Sequence, residues 1–370
     1  MFPIMAWGLS PSSPAELKLM KEAGLNLTGF CKVADLDAVR DAGLHCFVRD
    51  DAIHKLVVAN GGTDAEIQSA VAALAPKISA HPAAFGVNLR DEPSAAEMAI
   101  LGRLAAEIQK TIPGKLPYVN LFPNYANAKQ LATASYNEYL QQYLKQVRLP
   151  YISWDNYSLR DGEMQQSFYD NLEQVRRASS QAGVPFWNCI LAEALFRYME
   201  PSDATYSLQV YATLAYGGRG IQFFTYFTPD VGNFRLAPVD QWGNRTATWD
   251  ILRRATNQIH ALAPIMVKLK SKGVYHWPVS TASGTPLLAS PGTTGKALIG
   301  EFEDEQGRPY VMLVNKSLTE STNFKLQPRA EGARIYKVSA VTGKEGRLGM
   351  EDVWLGPGAG MLLRIEAEKK

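Results

Sequence analysis

The sequence predicts an α/β fold, a (β/α)₈ TIM barrel followed by a small C-terminal antiparallel β-sandwich, on three observations. Between residue 1 and about residue 266, short apolar runs alternate with amphipathic stretches eight times. The first run is followed by Leu9-Ser10-Pro11-Ser12-Ser13 rather than a Gly-rich phosphate turn, which disfavours an open doubly wound sheet. Beyond Pro264 the texture changes to short β-rich runs about ten residues apart. These features divide the chain into residues 1–266, the barrel, and 267–370, the sandwich.

The predicted barrel strands are Pro3–Gly8, Leu25–Cys31, Leu44–Arg49, Phe85–Leu89, Pro117–Leu121, Tyr151–Trp154, Pro185–Leu191 and Gly220–Tyr226. Between them apolar residues recur at three- and four-residue spacing, over Ala15–Ala23, Leu36–Ala42, Asp64–Ser79, Ala95–Thr111, Tyr136–Gln146, Met164–Gln181, Ala204–Ala215 and Trp249–Leu262. Ser13-Pro14 offers a cap with proline at a first helical position, and Gly24, Gly43 and Gly183 fall where helices must stop. Strands alternating with helices pair in parallel through right-handed crossovers. The C-terminal runs Gly273–Trp277, Ala297–Phe302, Tyr310–Asn315, Ala333–Val338 and Met361–Ile365 are separated by turn residues, and predict about eight antiparallel strands.

With 370 residues, 46% of them hydrophobic, the chain can bury a large core. Its 38 basic and 36 acidic residues leave a net charge of +2 without long runs of one sign, which gives no basis for a nucleic-acid or anionic-membrane partner. No apolar stretch approaches the ~18 residues that span a bilayer. Cys31, Cys46 and Cys189 lie in strand-like runs and are expected to be buried thiols, with no disulfide framework. The start, MFPIMAWG, has no basic segment. The chain therefore reads as cytoplasmic, or as secreted or periplasmic where a signal precedes it. The five histidines are scattered without zinc spacing, so neither a metal nor a cofactor is expected.

Function in a parallel barrel gathers at the C-terminal strand ends, where the βα loops share one mouth. The ends offer Trp7, then Arg49 with Asp50 and Asp51, then Asp91-Glu92, then Asn120 with Phe122 and Asn124. The remaining ends offer Trp154-Asp155-Asn156-Tyr157, Glu193, and Tyr226 with Phe227. Carboxylates, amides and rings suit a saccharide, whose hydroxyls need polar partners and whose C–H faces stack on aromatics. Arg90-Asp91-Glu92-Pro93 places three charges at the end of a buried run, a costly arrangement unless they face a polar cavity. Glu193 interrupts the apolar Cys189–Leu195 segment in the same way. Glu92 and Glu193 are the candidate catalytic pair; Asp91, Asn120, Trp154, Asp155, Asn156, Tyr157, Tyr226 and Trp7 are the candidate substrate contacts. Competing structural roles are a helix-start carboxylate for Glu92, a salt bridge from Glu193 to Arg197, and an ion pair within Arg49–Asp51.

Glutamates ending strands four and seven resemble the hallmark of the clan of retaining (β/α)₈ glycoside hydrolases that includes family 5 cellulases and mannanases and family 42 β-galactosidases. The Arg90–Pro93, Ser153–Tyr157 and Gly220–Tyr226 segments look like those of bacterial members of that clan, and many of these carry a trailing β domain. The resemblance spans the whole chain in architecture and is specific only at these strand ends. It implies a β-glycosidase acting on an oligo- or polysaccharide or a glycoside, with Glu92 as acid/base and Glu193 as nucleophile. The clan carries asparagine before its acid/base, whereas this chain has Asp91. Two rival readings are an inverting glycosidase or lyase using Asp91 or Asp155 with Glu92, and a non-catalytic carbohydrate-binding barrel.

Overall fold

A computed structural model describes residues 1–278, 284–349 and 353–367. Eight parallel strands form the barrel: β1 (Ile4–Ala6), β2 (Leu27–Cys31), β3 (His45–Val48), β4 (Ala84–Asp91), β5 (Leu116–Asn120), β6 (Ile152–Asp155), β7 (Phe186–Leu191) and β8 (Gly220–Phe224). Their order is β5-β4-β3-β2-β1-β8-β7-β6, and the ring closes where Leu121 bridges Trp154 in parallel. The main helices are α1 (Pro14–Glu22), α2 (Leu36–Asp41), α3 (Asp51–Val58), α4 (Asp64–Ile78) and α5 (Met98–Thr111) in the first half. The second half adds α6 (Ala128–Leu131), α7 (Tyr136–Gln146), α8 (Gln166–Ala182), α9 (Asp203–Ala215) and α10 (Ala247–Met266). Among the described residues no helix is long and apolar enough to cross a membrane.

Strand parity sorts the residues. On β5 and β6, Tyr118, Asn120, Ser153 and Asp155 alternate with residues turned toward the helices, as a period of two demands. The lower lumen is an aromatic plug in which Tyr151 stacks on Trp187 at 3.9 Å and Phe47 packs on Tyr118 at 4.6 Å. Above it lies a polar layer: Gln222 Nε2 donates to Ser153 Oγ at 2.6 Å, and Ser153 Oγ donates to Asn120 Oδ1 at 2.9 Å. The carboxylates stand on this floor.

Gly86 lets β4 and β5 approach, because a Cβ at this position would lie 1.8 Å from the Leu116 carbonyl oxygen. Gly86→Ala is expected to lower stability by about 1–3 kcal/mol through overpacking. An unchanged melting temperature would mean that β4 can move away from β5.

The C-terminal strands are β9 (Lys270–Trp277), β10 (Leu288–Ser290), β11 (Ala297–Glu303), β12 (Pro309–Asn315), β13 (Thr322–Phe324), β14 (Gln327–Pro328), β15 (Arg334–Val338), β16 (Glu345–Arg347), β17 (Val353–Leu355) and β18 (Gly360–Glu366). Six form one antiparallel sheet, β9-β11-β12-β18-β15-β16, and the pairs β10–β14 and β13–β17 complete a small sandwich. One sheet face, with Ile299, Val311, Leu313 and Leu363, joins Phe324 and Leu355 in a separate core. The other face, with Leu298, Met312, Val314 and Leu362, merges with the barrel core. Where the sheet reaches the end of α9, a Cβ on Gly300 would meet the Ala215 carbonyl oxygen at 2.1 Å.

Two local expectations are corrected, and one element is added. Cys31 and Cys46 form a disulfide across β2 and β3, with Cα atoms 6.2 Å apart, because parallel pairing makes neighbours of residues separated along the chain; Cys189 remains a buried thiol. Asp50 caps α3, accepting from the Ala52 and Ile53 amides at 3.0 Å each, so Arg49–Asp51 is a helix start rather than an ion pair. A short hairpin (Leu159–Arg160 with Glu163–Met164) follows β6, within a segment too short to show periodicity.

Candidate active site

Asp91 ends β4, and Glu92 follows in the left-handed conformation, with φ 46°. The Glu92 amide donates to the Asn120 carbonyl at 2.8 Å, tying this turn to β5. Helix initiation belongs to other residues. Ser94 and Glu97 form a capping box, and Glu97 also accepts from Arg90 Nε at 2.8 Å, so Glu92 is free of that duty.

Asn120 joins the acids. Its Nδ2 donates to Asp155 Oδ1 at 2.7 Å and to Asp91 Oδ1 at 3.3 Å, while its own carbonyl is satisfied by Ser153. Asp155 is buried. Asp91 is exposed at the end of β4, but neighbouring protein displaces part of the water around its carboxyl. Desolvation therefore raises Asp91 to about 6, with Asn120 and Arg90 opposing. Desolvation and then the Asp91 charge raise Glu92 to about 7. Burial, followed by the charges of Glu92 and Asp91, pushes Asp155 well above the usual carboxylate range.

Glu193 stands apart on the β7 side, two residues past the strand, with 1% of its surface exposed. Thr225, just beyond β8, donates from Oγ1 to Glu193 Oε1 at 3.0 Å. The other carboxyl oxygen, Oε2, is buried and has no hydrogen-bond partner. Burial raises this group to about 8, with Thr225 opposing. The alternative partner, Arg197, lies 3.8 Å from Asp161 instead.

Linkage gives a stability prediction for Glu193. Its folded pKa of about 8 exceeds the ordinary glutamate value of 4.5, so the fold loses stability as pH rises from about 4.5 to about 8 and stays lower above that. Glu193→Gln is expected to stabilise the protein by about 5 kcal/mol at pH 9 and by almost nothing at pH 4. Melting temperatures at the two pH values check this; an equal gain at both would remove burial of the charge as the cause.

Rings line the same region. Tyr157 stacks on Phe224 at 5.2 Å, and its hydroxyl is 3.6 Å from Cys189 Sγ. Trp7 packs against Phe30 and Phe224, each at 5.4 Å. Both are half-buried. Tyr125 from the β5–α6 loop, 48% exposed, accepts the Tyr157 amide at 3.3 Å.

Three expected substrate contacts sit elsewhere and are corrected. Trp154 has the opposite parity to Ser153 and Asp155, so it is fully buried and packs on Phe186 at 5.5 Å. Asn156 is buried, donating to Asn171 Oδ1 at 2.9 Å and Asn124 Oδ1 at 3.3 Å, and holds two loops together. Tyr226 lies beyond the end of β8 at Phe224, where strand parity lapses; it is buried and accepts from Trp249 Nε1 at 3.0 Å.

Sequence pattern does not single out Ser153, Gln222, Thr225 or Tyr125, which the structure bonds to the polar layer, to Glu193 and to Tyr157. Polar residues at lumen parity inside apolar runs were the available signal for Ser153 and Gln222. Thr225 and Tyr125 had none, since each acts across loops. The cleft between α7 and α8 does not compete as the catalytic centre, because its Glu173 is already paired with Arg176 and Arg177. Among the described residues no three His, Cys, Asp or Glu side chains are grouped to hold a metal.

No protein-family model and no curated protein matches the sequence. Solved structures do match in shape. One is a glycoside hydrolase with TM-score 0.62 and 12% identity, covering 100% of this chain and 93% of its own. A glycoside hydrolase family 5 protein from Bacteroides vulgatus has TM-score 0.64 and 13% identity, covering 99% of this chain and 90% of its own. A beta-galactosidase from a psychrophilic Marinomonas has TM-score 0.52 and 10% identity, covering 72% of this chain and 60% of its own. Identities this low carry fold alone: the chain has a (β/α)₈ barrel fold similar to that of these glycoside hydrolase structures.

Proposed function

We propose that the chain is a retaining glycoside hydrolase acting on β-linked neutral sugars in an oligo- or polysaccharide or a glycoside, with residues 1–266 as the catalytic unit and 267–370 as an accessory sandwich. The observation that carries this reading is the pair of glutamates at the β4 and β7 ends, both raised into the neutral range by burial. Glu193 attacks the anomeric carbon while Glu92 gives its proton to the leaving oxygen. Glu92, now ionised, then takes a proton from water, which releases the glycosyl-enzyme. Such chemistry calls for carboxyl groups about 5–5.5 Å apart once sugar is bound.

Asp91, ionised above about pH 6, keeps the neighbouring Glu92 protonated and accepts from a sugar hydroxyl. Asn120 orients Asp91, while Trp7 and Tyr157 offer ring surface. Turnover of an aryl-β-glycoside panel, followed by proton NMR of the first-formed anomer, tests the reading. A retained β-anomer is expected; an inverted product would reject it, and binding without cleavage of any substrate would favour a carbohydrate-binding barrel.

A further inference from the structure

A second cleft of about 560 Å³ opens between the hairpin after β6, the first turns of α8, and the segments Thr294–Lys296 and Lys316–Glu320 of the sandwich. A pocket of this size accommodates a sugar residue. Lys316 lines it, half-buried, and lies 4.2 Å over the Tyr169 ring. Its Nζ donates to His276 Nδ1 at 2.9 Å, and His276 Nε2 is 3.0 Å from the Tyr216 hydroxyl. Burial and then the Lys316 charge hold His276 neutral, lowering it to about 4, so the imidazole accepts the ammonium proton without balancing its charge.

Among the described residues Lys316 forms no ion pair with a carboxylate. A second cation, Lys296, lines the same cleft. Burial and then Lys296 depress Lys316 to about 8, and Glu163 opposes them only as the smallest influence. The Tyr169 hydroxyl is buried with no hydrogen-bond partner, although Tyr169 borders the cleft and is 2% exposed. A partly desolvated ammonium opposed only by carboxylates at the exposed rim, beside an orphaned hydroxyl, leaves a place for an oxyanion. Glu163 and Glu320, exposed at the rim, disfavour a multiply charged ion but accept hydrogen bonds from sugar hydroxyls.

We propose that this cleft is a second saccharide-binding site, taking a sugar residue that bears one carboxylate or one sulfate group, with the anion on Lys316 and Lys296 and the hydroxyls on the glutamate rim. The site is separate from the carboxylates at the barrel mouth, and its test needs no turnover, so it stands or falls independently of the glycosidase reading.

The experiment uses the full chain at pH 7 and reads reductive methylation of Lys316 by peptide mass spectrometry, with D-glucuronate, D-glucose or inorganic sulfate present. Glucuronate is expected to slow Lys316 labelling at least five-fold, glucose not at all, and sulfate by less than two-fold at equal concentration. Calorimetric binding of glucuronate is expected to weaken ten-fold or more in Lys316→Met, to survive largely in Lys316→Arg, and to fall with added sodium chloride. Because labelling is read on the wild-type protein, a misfolded Lys316→Met variant leaves the test intact. Absence of protection by glucuronate, or equal protection by glucose or by sulfate, would overturn the proposal.

Discussion

Glu193→Ala is expected to abolish turnover, lowering kcat on the order of 10⁴-fold or more, as removal of a covalent nucleophile does. Azide should then restore activity on aryl glycosides, because a small anion fits the space left by the carboxyl and attacks the anomeric carbon directly. The product should be a glycosyl azide of inverted configuration, since one displacement replaces two. Chemical rescue separates this role from a structural one. Glu193 also bonds Thr225, and a variant that merely misfolded would stay inactive with azide. If activity survived the substitution without azide, the nucleophile would have to be another residue.

Glu92→Gln should act through the leaving group and through pH. For substrates with poor leaving groups, kcat/KM should fall by about 10²–10⁴-fold, whereas an activated aryl glycoside should lose far less in its first step. The working form, with Glu193 ionised and Glu92 protonated, is a minority species at every pH, because Glu92, at about 7, loses its proton before Glu193, at about 8. Below about 7 both glutamates hold protons and the nucleophile is lost; above about 8 both are ionised and the acid is lost. A narrow bell in kcat/KM with limbs near these values follows. In Glu92→Gln the alkaline limb should vanish and the acid limb should move up toward about 8, the value of Glu193 alone. A variant that kept the wild-type bell would show that Glu92 is not the group that protonates the leaving oxygen.

The barrel was legible because its physics is local. A strand buried on both faces must be an apolar run, and a helix covering it must repeat every three to four residues, so eight alternations identify the eight strands. Asp91 and Glu92 were legible for a related reason: charge at the end of such a run is costly unless a polar space receives it. Less local features escaped. Asp50 looks like a charge at a strand end until the helix it caps is seen. The Cys31–Cys46 bond depends on which strands become neighbours, and 15 residues of separation do not report that. Trp154 and Tyr226 show the limits of reading a strand end as a site, because alternate residues face opposite ways and the alternation lapses where the strand stops.

By itself the sequence determined the order of the elements, the change of texture near residue 266 and the acids at the ends of the fourth and seventh strands, since these depend on patterns within one segment. Only the tertiary structure decided which acids share a proton environment. Asn120 couples Asp155 to Asp91, while Glu193 is left with Thr225 and one unpartnered oxygen. Desolvation and hydrogen bonding act through space, over a few ångströms, and residues 29 or 35 positions apart come that close only after the ring of strands has closed.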